Sequence, residues 1–339
     1  MRVAAIQLEP EVGNVAENLR RAWALAERAA IAGAEWIVLP EFFATGMAFM
    51  DKLADAALPR DGAATQLMQE LARRHSAFVC GSFICRDRDG ENRNAWLLVG
   101  PDGAVAGRHD KDLPTMWENC FYVGGTDDGV LEAGGLRVGA ALCWELMRTA
   151  TVARLRDRVD LVLAGSAWWS IPQMAPQRLS ARLEAANAHT AASVAPALAR
   201  ALGVPVVHAA HCGKVRCKLP LARPFAYRGH YEGGACIVDA HGGVLAWRSA
   251  REGPGVVACE LEVERAQPTL EAGPGRWLHA RGAIPAAAWH CHRAHGRRWY
   301  RRHARGRPPL RRPLQELLEA SDPPQSVGPA PERPGICAG

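Results

Sequence analysis

The 339-residue chain lacks any stretch approaching the roughly 18 uninterrupted apolar residues of a membrane-crossing helix. It also lacks a Cys-x-x-Cys pair. Ten cysteines are present, but spacings such as Cys80/Cys85 and Cys212/Cys217 fit no usual zinc pattern. Most of them read as reduced, buried small side chains. No internal repeat is visible. The opening residues, Met1 to Gln7, meet Glu9 and Pro10 too soon for a secretory leader and read as a first buried strand. Together these absences predict a cytoplasmic protein with no membrane partner.

A basic surface is missing as well, except at one end. The formal charge is +6, yet residues from 266 onward hold 12 Arg against 5 acidic residues, a net of +7. The rest carries 29 basic and 30 acidic residues, a net of −1, so the basicity belongs to the tail and gives no pointer to a nucleic-acid groove on the main part; no nucleic-acid partner is expected. His290-Cys291-His292 with His295 lies in that Arg-rich region and reads as a solvated segment rather than a metal site. Hydrophobic residues at 48% and charged residues at 22% suit a globular protein with a substantial core.

Periodicity supplies the organisation. Residues 3–8 read as a strand, and Asn14 followed by Glu17 reads as a capped start to a helix that Gly33 closes. Trp36–Leu39 is a fully apolar strand ended by Pro40-Glu41. A helix over 65–75, a strand over 78–83 and a hairpin turning at Pro101-Asp102-Gly103 follow. A strand over 138–142, a helix over 146–158, a strand over 161–164 and a long Ala-rich helix over 177–200 come next. Strands near 204–209, 235–239, 244–247 and 256–261 complete a mixed-sheet α/β pattern. This predicts one domain over 1–265. An Arg/Pro-rich arm occupies 266–339, with disorder expected in its last twenty or so residues.

Four polar residues sit at ends of these elements. Glu41 emerges from an apolar strand, Lys111 precedes Leu113-Pro114, Glu118 lies seven residues beyond it, and Cys143 ends the strand 138–142. Singly, each reads as a turn, surface or core residue. Together at one rim of a sheet they could hydrolyse an amide or a nitrile. The thiol needs a base to take its proton, and a carboxylate can do so and later return it to the departing amine. The oxyanion formed on attack needs fixed donors, such as an ammonium and the amide N–H after the nucleophile. Amides at a helix start after Cys143 would favour the thiolate.

Three blocks carry a resemblance that sharpens this. Ala34 to Phe43 holds an apolar strand ending in Pro40-Glu41. His109 to Glu118 holds Lys111, Leu113-Pro114 and a second Glu, and Phe121 to Gly125 continues it. Gly139 to Glu145 holds Cys143 in an elbow. The chain here resembles the nitrilase, or carbon-nitrogen hydrolase, superfamily, over roughly residues 1–265. The resemblance implies a four-layer αββα sandwich that pairs into homodimers or larger assemblies. It implies Glu41 as general base, Cys143 as nucleophile, Lys111 and the Trp144 amide as oxyanion donors, and Glu118 as a residue orienting Lys111 or the substrate. No metal or organic cofactor is required.

Cys143-Trp144-Glu145 is similar to the nitrilase branch, while Leu146-Met147-Arg148 matches neither that branch nor the amidase one. Amidases dominate the superfamily, so a small amide is placed ahead of a nitrile as substrate. An acyltransferase and a non-catalytic scaffold are the remaining readings. Trp168 and Trp169, after a strand, are candidates for a pocket wall, with core packing as the equal alternative. His208, His211 and Cys212 end the next strand and read as neutral lining rather than catalysts.

Overall fold

Alternation along the first strand sets the architecture. The computed structural model describes residues 1–172, 176–221, 226–273, 275–278 and 283–319. Its strand β1 (Arg2–Leu8) turns Ala4, Ile6 and Leu8 to one face and Val3 and Ala5 to the other. The first face packs on α1 (Val15–Ile31) and α2 (Ala63–His75) through Leu19, Ala22, Leu67 and Leu71. Asn14 caps α1, its side chain accepting from the Glu17 N–H, and Gly33 follows with φ +87°. The second face meets the other half of the same sheet.

Strands β2 (Trp36–Val38), β3 (Leu58–Pro59), β4 (Phe78–Arg86), β5 (Asn92–Val99) and β6 (Val105–Asp110) build the half of the sheet around β1. The other half contains β7 (Val130–Ala133), β8 (Leu136–Leu142), β9 (Leu161–Ser166) and β10 (Val206–His211). Between β8 and β9 runs α3 (Thr149–Leu155), and α4 (Gln177–Leu202) leads to β10. A separate ribbon pairs β11 (Lys214–Lys218) with β12 (Ala226–His230). Strand β13 (Gly233–Val238) then pairs β10, β14 (Val244–Ser249) pairs β13, and β15 (Gly255–Glu260) returns to β1.

The halves join at one seam, where β1 and β10 pair in parallel through Gln7 with Ala210 and Leu8 with His211. Elsewhere they lie face to face. Val3, Ala5, Leu142, Leu161, Leu163, Val207 and Ile237 form the core between them, while Val162 and Ala164 pack outward on Val152 and Leu155 of α3 and Leu198 of α4. Three cores thus separate four layers, the αββα sandwich expected. Among the described residues no helix is long and apolar enough to cross a membrane.

Two segments differ from expectation. The helix expected over 146–158 is broken: a 3₁₀ turn spans Cys143–Met147, Arg148 is extended at φ −95°, ψ 134°, and only Thr149–Leu155 is α-helical. The cause is local, because the Glu145 side chain accepts the Leu142 N–H at 2.8 Å and closes the turn early. Within the Arg-rich arm, α5 (Ala283–His303) packs on the turn Met116–Cys120, and α6 (Leu314–Glu319) on α1 and α2. Trp289, Trp299 and Tyr300 of α5 are buried, as are Leu314 and Leu317. Residues 320–339, where disorder was expected, lie outside the described residues.

Candidate active site

All four polar residues are buried; Glu41, Lys111 and Cys143 stand just past strands, and Glu118 lies in the turn Met116–Cys120. Glu41 follows β2 by three residues, where the chain turns sharply and Phe42 takes φ +54°. That turn crosses β9 closely: a Cβ on Gly165 would lie 2.7 Å from the Glu41 nitrogen, so only glycine fits there. The Phe42 N–H donates to Ser82 Oγ at 3.1 Å. His211, which burial holds down to about 4 and therefore neutral, approaches Glu41 O at 2.6 Å through Nε2. A main chain held at so many points aims the Glu41 carboxylate inward.

That carboxylate accepts three hydrogen bonds. Oε1 takes Lys111 Nζ at 2.8 Å and Asn94 Nδ2 at 2.9 Å, and Oε2 takes the Ala167 N–H at 3.0 Å. Lys111 follows β6, its own N–H bound to Asn94 O at 3.0 Å. Its ammonium bridges Glu41 and Glu118, with Glu118 Oε2 also at 2.8 Å. Glu118 sits in the Met116–Cys120 turn, and the same Oε2 accepts the Thr115 N–H at 2.8 Å and the Tyr122 hydroxyl. Its Oε1 is buried without a hydrogen-bond partner.

Burial governs the proton affinities. It pushes Glu41 up to about 7, with the Lys111 ammonium opposing and the Glu118 charge adding to the rise. Burial would pull Lys111 down, but Glu118 and Glu41 hold it well above its usual range. Cys143 directly follows β8 with φ +52° and is 1% exposed. Burial and the Glu41 charge push its thiol well above the usual range, against Lys111 and the Trp144 N–H at the sulfur, which favour the thiolate. The thiolate-favouring helix start expected after Cys143 is replaced by the five-residue 3₁₀ turn.

Beneath the elbow lies a second ionic group that sequence reasoning quoted without assigning. Glu145, 1% exposed, accepts from the Leu142 N–H at 2.8 Å and the Asp112 N–H at 3.0 Å, tying the cysteine turn to the lysine loop. His109 Nε2 lies 3.0 Å from Glu145 and its Nδ1 2.5 Å from Asp127. Burial would lower His109, but Glu145 and Asp127 push it up to about 9, so both ring nitrogens carry protons. Burial would raise Glu145, while His109 and Arg154 hold it far below the usual carboxylate range. The only sequence signal for this group is a Glu two residues after a strand-end cysteine and a His two before a strand-end lysine. Asn94 and Tyr122 are also unassigned: Tyr122 lies in the family-like continuation Phe121 to Gly125, four residues from Glu118, whereas Asn94 meets Glu41 across 53 positions.

The two tryptophans diverge. Trp168 enters the core under α4, its Nε1 donating to Asn187 Oδ1 at 3.0 Å. Trp169 enters the opposite core, donating to Met47 O at 2.8 Å, with its ring 4.6 Å from that of Trp117 beside Glu118. His208 is held down to about 4 by burial and hydrogen-bonds Ser166 Oγ, and Cys212 is buried. Among the described residues, the one His/Cys/Asp/Glu group with donor atoms close enough for a metal is Glu184, His230 and Glu232, on and beside α4 and β12. The histidines of α5 form no such group.

Residues 2–269 match the sequence profile of a family described as carbon-nitrogen hydrolase. A curated nitrilase of Paraburkholderia phymatum is 32% identical over 161 residues, 43% of this chain and 47% of its own length. The omega-amidase NIT2 of Mus musculus is 30% identical over 166 residues, 45% of this chain and 58% of its own length. The chain thus spans about half the length of the curated relatives it matches. Among solved structures, an amidase from Nesterenkonia sp. AN1 aligns with TM-score 0.58 at 20% identity, over 77% of this chain and 93% of that one. A CN-hydrolase superfamily protein from Xanthomonas campestris aligns with TM-score 0.60 at 22% identity, over 76% and 89%. At these identities the likeness is one of fold.

Proposed function

This chain belongs to the carbon-nitrogen hydrolase family, and from that premise we propose that it hydrolyses small non-peptide amides through a thioester on Cys143. What carries the reading is the Lys111 ammonium, which lies 2.8 Å from both Glu41 and Glu118, with Cys143 in electrostatic reach of all three. Cys143 sulfur attacks the carbonyl carbon as Glu41, poised at about 7, takes the thiol proton. The C–O π pair moves to oxygen, where Lys111 and the Trp144 N–H hold the negative charge. Collapse breaks the C–N bond, and Glu41 returns the proton to the departing amine. Glu41 then deprotonates water, which attacks the thioester and releases acid and thiol.

Glu118 orients Lys111, and its partnerless Oε1 is available to the substrate or to the hydrolytic water. A nitrile in place of the amide is the second reading, supported by the Cys143-Trp144-Glu145 elbow and by nitrilases among the relatives. Pairing into homodimers and a cytoplasmic location belong to the same proposal, whereas Trp168 and Trp169, buried in opposite cores, take the core-packing alternative. Sedimentation measures the pairing.

A panel of primary amides, ω-amides, N-carbamoyl compounds and nitriles, followed by mass spectrometry of Cys143, tests the chemistry. Turnover is expected on at least one amide, with an acyl adduct on Cys143. Cys143→Ala should fold and hydrolyse nothing. Retained turnover in that variant would sink the mechanism.

A further inference from the structure

The positive charge of the C-terminal arm takes no part in the site above, yet it is gathered in one place. Two clefts flank α5 and share Leu113 and Arg293. The larger, about 560 Å³, has Pro114, Asn119 and Tyr122 on one wall and Arg293, Arg297 and Arg301 on the other. The smaller, about 300 Å³, adds Arg276 with the rings of Trp277 and Trp289. Arg293, Arg297 and Arg301 recur at every fourth position and so share a face of the helix. The Arg293 guanidinium lies 5.3 Å over the Trp289 ring, which fixes its plane.

Charge balance separates these arginines from their neighbours. Arg305 is paired with Glu91 at 2.8 Å, and Arg148 with Asp112, which consumes the acids of the cleft walls. Among the described residues, Arg276, Arg293, Arg297 and Arg301 have no carboxylate partner. Burial lowers the proton affinity of Arg293, and the like charges of Arg297 and Arg276 lower it further. Unpaired guanidiniums converging on a cleft repel one another until an anion arrives, and their planar forks suit carboxylate and phosphate.

We propose that the clefts beside α5 form an accessory site for a small oxyanion-bearing molecule, a carboxylate or a phosphate, held by Arg293 and Arg297 and flanked by Arg276 and Arg301. The opposite wall gives this site its consequence. Asp112 directly follows Lys111, Asn119 directly follows Glu118, and the Tyr122 hydroxyl binds Glu118. Helix α5 rests hard against that segment: a Cβ on Gly296 would lie 2.5 Å from Asn119 Cβ. An anion bound between α5 and the loop therefore lies against the segment that carries Lys111 and Glu118. Its bearing on catalysis rests on the catalytic reading, whereas the binding does not.

Calorimetric titration of the full chain with inorganic phosphate, and separately with citrate, tests the proposal, and comparing the two anions assigns the preferred chemistry. Saturable binding of at least one anion is expected, weakening as ionic strength rises. The Arg293→Gln/Arg297→Gln double variant should lose about tenfold or more in affinity, while Arg298→Gln/Arg302→Gln, outside the clefts, should retain it. Thermal melts check that both variants fold. No saturable binding to the parent chain, no change in the first variant, or equal loss in the second would each overturn the site. Cys143→Ala should bind the anion as the parent does, so a failed mechanism and a failed anion site give different results.

Discussion

Replacing His109 with glutamine removes the buried imidazolium beneath the cysteine elbow, and its cost should depend on pH in one direction. His109 is fully buried, with Glu145 at 3.0 Å and Asp127 at 2.5 Å, and is pushed up from 6.5 to about 9. A group that binds its proton more tightly when folded stabilises the fold fully below its unfolded pKa. That contribution is lost as pH rises through the folded value. The interval from 6.5 to about 9 corresponds to about 3 kcal/mol. Glu145 has the opposite sign: its depressed affinity stabilises above the usual 4.5 and is lost only in acid, so it is constant over the alkaline range.

The assay is urea unfolding of the parent chain and of His109→Gln in steps from about pH 6 to about pH 10. Taking the difference between the two at each pH cancels other titrating groups. At the acid end the variant should be less stable by several kcal/mol, in keeping with about 3–5 kcal/mol for breaking a buried ion pair. Toward the alkaline end the gap should narrow by about 3 kcal/mol. A gap that stays constant would mean that His109 is neutral and only packs, and the ionic account of the elbow would be wrong.

Three further outcomes follow from the geometry of the site and of α5. The rate constant kcat/KM should rise with pH through about 7 as Glu41 loses its proton. Glu41→Gln should lower it by about 10²–10⁴-fold. A pH-rate profile without that limb removes Glu41 as base. Gly296→Ala would ordinarily stabilise a helix by about 1 kcal/mol, but the added Cβ would meet Asn119 at 2.5 Å. A net loss of about 1–3 kcal/mol in thermal unfolding is expected, and a higher Tm would show that α5 does not press on the Glu118 turn.

What the sequence made legible divides along the range of the interaction. Strands and helices with unbroken periodicity, such as β1, α1 and β8, were readable because each needs only its own apolar spacing. Glu41, Lys111 and Cys143 were readable as strand-end groups, Glu118 proved to lie in a turn instead, and the resemblance ordered all four. The break after Met147 was not, since it depends on one carboxylate reaching back to Leu142. Helix α5 was readable only in part, as a basic helix or extended arm from Arg297, because Trp289, Trp299 and Tyr300 anchor it through contacts far away in sequence. The His109–Glu145 pair spans 36 positions and leaves no local pattern.

The proton affinities in the pocket constrain how the thiol can act. Glu41, Glu118 and Lys111 are all 0% exposed, so two carboxyls share one ammonium away from water. Such a group favours a proton on one carboxyl near neutral pH, and Glu41 at about 7 fits that role. Cys143 is raised well above its usual range by burial and by the same negative charge. Moving a proton from sulfur to Glu41 in the empty site is therefore uphill. A standing thiolate, as a helix start would have given, is not what this pocket stores. In the proposed mechanism the transfer becomes favourable when a carbonyl carbon accepts the sulfur electrons and the new oxyanion meets Lys111. On this reading the site spends its charge on the substrate-bound state, leaving the resting thiol slow toward general electrophiles and fast only toward a carbon seated against Lys111.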